Sequence, residues 1–308
     1  MLVLTFPGQG SQHPGMGAAW AGTESWAVVG RASEVAGRDL AALLLDADAN
    51  ELRATRHAQL ATYVTSLVVL DALRRAGLPD PEVVAGHSLG EYTALTAAGA
   101  LGVDDGVRLV TARGEAMQAA ADERPGTMAA LLGLDVDGAE AACAEAPDAA
   151  WVANDNAPGQ VVVAGTTEGV ATATAAAKAR GARKVLALPV CGAFHTPLMA
   201  SAATALGAAL GAASFATPEV PVVANVDAVP HTDAEGWPAL LVDQLTAPVR
   251  WRPGIEGVAA DTRPDDLTIL EVGPGGVLTG MVKRIVPGVR VASVADPTDV
   301  EGALGLLA

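Results

Sequence analysis

The 308-residue sequence is short of cysteine and of positive charge: it has two cysteines, Cys143 and Cys191, and 19 lysines and arginines against 35 aspartates and glutamates. Two cysteines cannot make a disulfide framework, and no paired spacing marks a metal site. The formal net charge of −16 excludes general affinity for nucleic acid or anionic membrane, since such binding begins with a basic surface. No apolar run reaches the roughly 18 residues of a membrane span. The opening MLVLTFPGQG lacks the basic leader and cleavage site of a signal peptide, so a cytoplasmic protein is expected. What the chain does have is apolar mass: 51% of its residues are hydrophobic, ample for one large domain or two smaller ones. No internal repeat is visible.

The pattern along the chain is that of an α/β protein. LVLTFP reads as a short strand running into a turn-rich loop, GQGSQHPGMG. Residues 58–76 have helical length and apolar spacing, PEVVAG reads as a buried strand, and EYTALTAAGAL follows as a helix. Another helix, from about Asp104 to Ala121, carries Arg108, Arg113 and Met117. Residues 124–190 then run strand, helix, strand, strand, helix, strand: TMAALLGL, DVDGAEAACAEA, AAWVANDNA, QVVVAGT, TEGVATATAAAKARG and ARKVLALPV. This β-α-β-β-α-β order is the ferredoxin-like arrangement, which predicts a small domain over 124–190 inserted into a larger one made of 1–123 and 191–308. PEVPVVANV (218–226) and LTILEVGPG (267–275) return to buried strands of the larger unit.

Chemistry concentrates at VVAGHSLGEYTAL, residues 83–95. Strand, Gly-x-Ser-x-Gly and helix form the context of a nucleophile elbow, with Ser88 at its tip and helix N–H groups facing a developing anion. A serine needs a base. Of the five histidines, His87 is held by the turn and is suited only to lining the site. His195 lies in a loop just past the apolar run KVLALPV and is the better base. A triad hydrolase would place an acid between serine and histidine in chain order, and no acidic residue stands out there in a turn-bounded context.

Seven segments, FPGQGSQ (6–12), GHSLGEYTAL (86–95), RGEAMQ (113–118), NDNAPGQVVVAG (154–165), GAFHTPLM (192–199), QLTAPVRW (244–251) and EVGPGGVL (271–278), resemble in order the motifs of malonyl-CoA:acyl carrier protein transacylases. These belong to the wider acyltransferase family of fatty-acid and polyketide synthesis. The resemblance spans nearly the whole chain. It implies an α/β-hydrolase-like large domain with an inserted ferredoxin-like small domain, and a reaction that needs no bound cofactor. Malonyl-CoA would be the substrate, and the partner an acyl carrier protein bearing phosphopantetheine. It also implies a monomer.

Carried onto this sequence, the resemblance makes Ser88 the nucleophile and His195 the base, supported by the backbone carbonyl of Gln244 rather than by a carboxylate. The oxyanion donors would be the backbone N–H groups of Leu89 and Gln9. Arg113 would hold the malonyl carboxylate in a bidentate pair, with Met117 one turn further along the same face. Phe194 matches the bulky residue of malonyl-selective relatives and leaves less room for an α-methyl group. Gln59 matches a glutamine near the pocket. The sequence also departs from the family pattern: Gly192 stands where polyketide malonyl selectors often carry His, and Leu60 replaces the proline that usually follows Gln59. Cys191, beside the histidine loop, reads as an inert thiol.

A basic run, KARGARK (178–184), supplies Lys178, Arg180, Arg183 and Lys184 as a docking patch for an acidic carrier, with Lys283 and Arg284 as a second candidate. The competing reading is a solvated helix end with Gly181 as C-cap. Three functional alternatives stay open: an acyltransferase using another extender unit, an editing thioesterase or esterase, and a non-catalytic carrier-docking module.

Overall fold

A computed structural model of the protein describes residues 1–190 and 192–307; the reading of Cys191 and the last residue of the chain lie outside the described residues. The strands in chain order are β1 (Leu2–Phe6), β2 (Val83–Gly86), β3 (Thr127–Leu132), β4 (Ala150–Ala157), β5 (Gln160–Gly165), β6 (Lys184–Ala187), β7 (Val222–Val223), β8 (Pro230–His231), β9 (Thr268–Val272) and β10 (Arg290–Val294). They form two sheets in a mixed α/β fold. The first has the order β10-β9-β1-β2-β7-β8 and is parallel except where β8 turns back on β7. Central parallel strands are covered on both faces and read as continuous apolar runs; β1 and β9 are buried throughout.

Register decides where the site can be. β1 pairs with β2 from Val3↔Val83 to Phe6↔Gly86, so both strands end at the same edge. There they release the glycine-rich loop after Phe6 and the serine turn after Gly86. The C-terminal edge of parallel strands is where open α/β sheets place their sites.

The second sheet is antiparallel, in the order β4-β5-β3-β6. Alternation along β3 gives it two lives. Ala129 and Leu131 point to the helices Val136–Cys143 and Thr167–Ala179, forming a core with Ala139, Val161, Val163 and Ala173. Met128 and Ala130 face the other way, into the main core with Val162 and Ala164. Cys143 is packed in the first of these cores, and burial pushes its thiol up to about 11, an inert state.

Two expected strands are shorter than the sequence suggests. The segment 218–226 pairs only at Val222–Val223, because Pro218 and Pro221 have no N–H for a ladder. The segment 182–190 pairs only at Lys184–Ala187, and Pro189 stops it in the same way. The helix expected over EYTALTAAGAL spans Gly90–Ala97, with the N–H of Ala100 closing its end on the carbonyl of Leu95. The long helices run Thr55–Arg75 and Val103–Glu123. Helix Thr167–Ala179 has Arg180 as its C-cap, and Gly181 follows at φ +98°; the left-handed residue sits one place beyond the cap. No helix among the described residues is long and apolar enough to cross a membrane.

Candidate active site

The serine turn is tight enough to dictate its own composition. A Cβ on Gly86 would lie 2.0 Å from the backbone of Gly90, and a Cβ on Gly90 2.0 Å from the carbonyl oxygen of Phe6. Between them Ser88 adopts φ +52°, a left-handed conformation that a side-chain-bearing residue holds only when its surroundings impose it. Asn225 imposes it. Its Oδ1 accepts the N–H of Ser88 at 2.6 Å while its Nδ2 donates to the carbonyl of Gly86 at 2.7 Å, so one amide spans the turn as a neighbouring strand would.

His195, also at positive φ (+61°), brings Nε2 within 2.8 Å of Ser88 Oγ, and its Nδ1 lies 2.7 Å from the backbone carbonyl of Gln244. A carbonyl can only accept, so Nδ1 carries the proton and Nε2 is free to take one from the serine. Burial and the neighbouring Arg113 cation push this imidazole down to about 3, which keeps it neutral, with Nε2 unprotonated, at physiological pH.

Arg113 lies on the buried stripe of helix Val103–Glu123 with Val110, Met117 and Ala120, where 3.6-residue periodicity puts it among apolar neighbours. It is 1% exposed. Its NH1 donates to Gln59 Oε1 at 2.7 Å, and its NH2 donates to Gln244 Oε1 at 2.8 Å and to Ser88 Oγ at 3.1 Å. The guanidinium carbon sits 5.5 Å from the centre of the Tyr92 ring, a cation–π support for a charge without water. Nε has no partner among the described residues, and burial lowers the pKa of the guanidinium. Gln59 also reaches Met117 Sδ at 3.1 Å and, at 3.5 Å, Gln9 Oε1.

A cavity of about 470 Å³ opens over the serine; Gln9, Ser88, Met117, Phe194 and His195 line it together with His87. His87 Nε2 lies 2.8 Å from Asn156 Oδ1, and burial lowers its pKa. Neither the N–H of Gln9 nor that of Leu89 has a partner among the described residues. Two main-chain donors left unpaired beside a nucleophile can receive an oxyanion. The far wall comes from helix Val277–Ile285, whose first turn is held by β9: the Glu271 carboxylate accepts the N–H groups of Leu278 at 3.1 Å and Thr279 at 2.7 Å.

The structure thus brings Ser88, His195, Gln244, Arg113, Gln59, Met117, Phe194, His87, Gln9 and Leu89 to one place. It leaves the basic run outside. Lys178, Arg180, Arg183 and Lys184 are exposed, none lines the cavity, and Arg180 pairs with Glu145 at 2.8 Å. Sequence reasoning missed Asn225, Glu91 and Asn156, all buried. Glu91 and Asn225 each stand alone among small or apolar neighbours, a signal that was there to be read; Asn156 ends the polar triplet 154–156 and carries no such signal.

A strained serine, a neutral histidine held by a main-chain carbonyl and a free pair of N–H donors are an arrangement capable of covalent catalysis through an acyl-serine. Residues 3–301 match the acyl transferase domain family, and the chain belongs to that family. It is 42% identical over 311 residues to the malonyl CoA-acyl carrier protein transacylase of Escherichia coli (strain K12), covering 99% of both chains. It is similar to the crystal structure of an acyl-carrier-protein S-malonyltransferase from Burkholderia pseudomallei 1710b, with a TM-score of 0.93, 39% identity and 99% of each chain covered. A further solved structure, a type II PKS acyl-carrier protein in complex with its malonyl-transacylase, is matched with a TM-score of 0.94, 39% identity and 99% of each chain covered.

Proposed function

We propose that this protein transfers a malonyl group from malonyl-CoA to the phosphopantetheine thiol of an acyl carrier protein, through a malonyl ester on Ser88. The observation that carries the reading is the buried Arg113 guanidinium 3.1 Å from Ser88 Oγ. A desolvated cation at the nucleophile selects an acyl group with a free carboxylate, because only such a group compensates it.

In the first half-reaction His195 Nε2 takes the Ser88 proton as Oγ attacks the thioester carbonyl. The N–H groups of Gln9 and Leu89 receive the oxyanion. The C–S bond then breaks, and His195 returns its proton to the departing CoA sulfur. In the second half the carrier thiol gives its proton to His195 and attacks the malonyl ester; the bond to Ser88 Oγ breaks, and His195 returns the proton to that oxygen. Nδ1 stays on the Gln244 carbonyl throughout and fixes the tautomer for both directions. Met117, Phe194 and His87 shape the acyl pocket, and the Phe194 ring disfavours an α-methyl substituent.

The rest of the reading follows the same lines. Strand order in the small sheet supports a ferredoxin-like unit over 124–190, and the parallel sheet with its serine elbow supports an α/β-hydrolase-like unit over 1–123 and 191–308. The enzyme would act in the cytoplasm as a monomer without a resident cofactor. Lys178, Arg183 and Lys184 offer the carrier a basic face, with Lys283 and Arg284 as the second candidate.

The experiment is transfer itself. Holo acyl carrier protein incubated with malonyl-CoA and the enzyme should gain one malonyl group by mass, and should not with Ser88→Ala. Release of free malonate with no gain on the carrier would replace the transferase by a hydrolase.

A further inference from the structure

Glu91 follows the serine elbow, is 1% exposed and has no part in the chemistry above. Both its carboxylate oxygens are engaged. Oε1 accepts the backbone N–H of Asn225 at 2.7 Å, and Oε2 accepts from the side-chain Nε2 of Gln244. Asn225 is the residue that spans the serine turn. Gln244 holds His195 by its main-chain carbonyl and Arg113 by its side-chain oxygen. One buried carboxylate therefore stands a single residue away from the nucleophile, the base and the arginine.

From this geometry we infer that Glu91 is the positioning residue for Arg113, acting by fixing which way the Gln244 side-chain amide points. The inference rests on the malonyl reading of the site. Among the described residues the Gln244 amide has three polar neighbours: Arg113 NH2, which can only donate, on its oxygen side, and Ser88 O and Glu91 Oε2, which accept, on its nitrogen side. Among the described residues Arg113 holds the amide oxygen, and Glu91 and the Ser88 carbonyl hold the nitrogen. Burial pushes the Glu91 carboxyl up to about 8, so its acceptor role at Oε2 is complete only above that pH, and the comparison of variants is made there.

Glu91→Gln tests the polarity while keeping the shape. The Asn225 N–H belongs to the main chain and cannot turn, so it retains the oxygen of the new amide and forces the new NH2 toward Gln244. Two NH2 groups then face each other. Relief comes if the Gln244 amide rotates by half a turn, which aims its own NH2 at the Arg113 guanidinium and its oxygen at the Ser88 carbonyl. Arg113 loses its acceptor and its place, while His195, held by the main chain of Gln244, keeps its own.

The expected result is selective. Relative to wild type, Glu91→Gln should lose roughly ten- to a hundredfold in kcat/KM for malonyl-CoA, the worth of a charge-assisted hydrogen bond. It should lose little in its labelling rate with an uncharged, serine-directed fluorophosphonate. Glu91→Ala, which presents no opposing donor, should keep more of the malonyl-over-acetyl preference than Glu91→Gln although it removes more packing. A merely structural role predicts the reverse order, with both reactions declining together, and that outcome overturns the inference. If Glu91→Gln does not fold, Glu91→Ala decides alone: malonyl and acetyl rates reduced by the same factor overturn it, and a retained preference supports it. A wild-type enzyme that gains no malonyl group on Ser88 defeats the underlying malonyl reading instead, and is distinguishable because it appears before any Glu91 variant is made.

Discussion

Replacing Arg113 by alanine removes a guanidinium that is fully enclosed and that donates to Gln59 Oε1, Gln244 Oε1 and Ser88 Oγ. A malonyl carboxylate docked on that group would gain two parallel charge-assisted bonds, each worth about 1.5–3 kcal/mol. Their loss amounts to roughly 10²–10⁴ in kcat/KM for malonyl-CoA. Acetyl-CoA presents no carboxylate, so its kcat/KM should stay within about tenfold of wild type. Arg113→Lys keeps the charge without the planar fork and should fall between the two. Folding should survive. The glutamine oxygens left without a donor cost about 1–3 kcal/mol each, and the removal of a desolvated cation works in the opposite direction. The assay is steady-state release of CoA from each substrate, with thermal unfolding as the control. If malonyl and acetyl turnover fall by the same factor, Arg113 is a scaffold for Gln59, Gln244 and Ser88, and the substrate argument built on it is wrong.

Stability should depend on pH through two buried groups shifted in opposite senses. Folded His195 at about 3, against 6.5 for a free histidine, binds fewer protons than the unfolded chain in that window, so stability falls as pH drops through it. Folded Glu91 at about 8, against 4.5, binds more, so stability falls as pH rises through that interval. The unfolding midpoint should therefore be flattest between about 4.5 and 6.5 and decline on both sides; an upper decline that persists unchanged in Glu91→Gln would contradict the assignment. Asn225→Ala leaves the Ser88 N–H and the Gly86 carbonyl without partners. It should lower stability by about 2–4 kcal/mol and slow acylation with little change in malonyl-CoA affinity, measured by denaturant unfolding and rapid-quench acylation. Charge reversal at Arg183 and Lys184 should raise KM for the carrier protein and leave malonyl-CoA kinetics alone; an unchanged carrier KM would remove that patch from consideration.

The strand-turn-helix around Ser88 was legible because glycine spacing and an apolar run each demand that geometry. The alternating small sheet was legible because its six elements follow one another with short turns. Strand lengths were not: 218–226 looks like nine good β residues, and its prolines leave two in the ladder. The support for His195 could not be derived from residue types at all, since it is a main-chain carbonyl that any residue at 244 would provide, and only the family resemblance pointed to it. Glu91 and Asn225 stayed hidden for a different reason. They meet each other across 134 positions of the chain; asparagine is no part of serine chemistry, and Glu91, inside the helix that follows Ser88, lacks the turn-bounded context of a triad acid. A buried carboxylate in a helix with no other charged residue was the available sign, and it marks a joint in the site rather than a reacting group.

The central claim is an acyl-enzyme on Ser88 whose acyl group carries a carboxylate. Its most direct test is the intact mass of the protein after brief incubation with malonyl-CoA, beside acetyl-CoA and methylmalonyl-CoA, with Ser88→Ala as control. The account predicts a gain of one malonyl group that vanishes in the variant, with less adduct from the other two thioesters. An unchanged mass with no CoA released, or a malonyl adduct that survives Ser88→Ala, would contradict it.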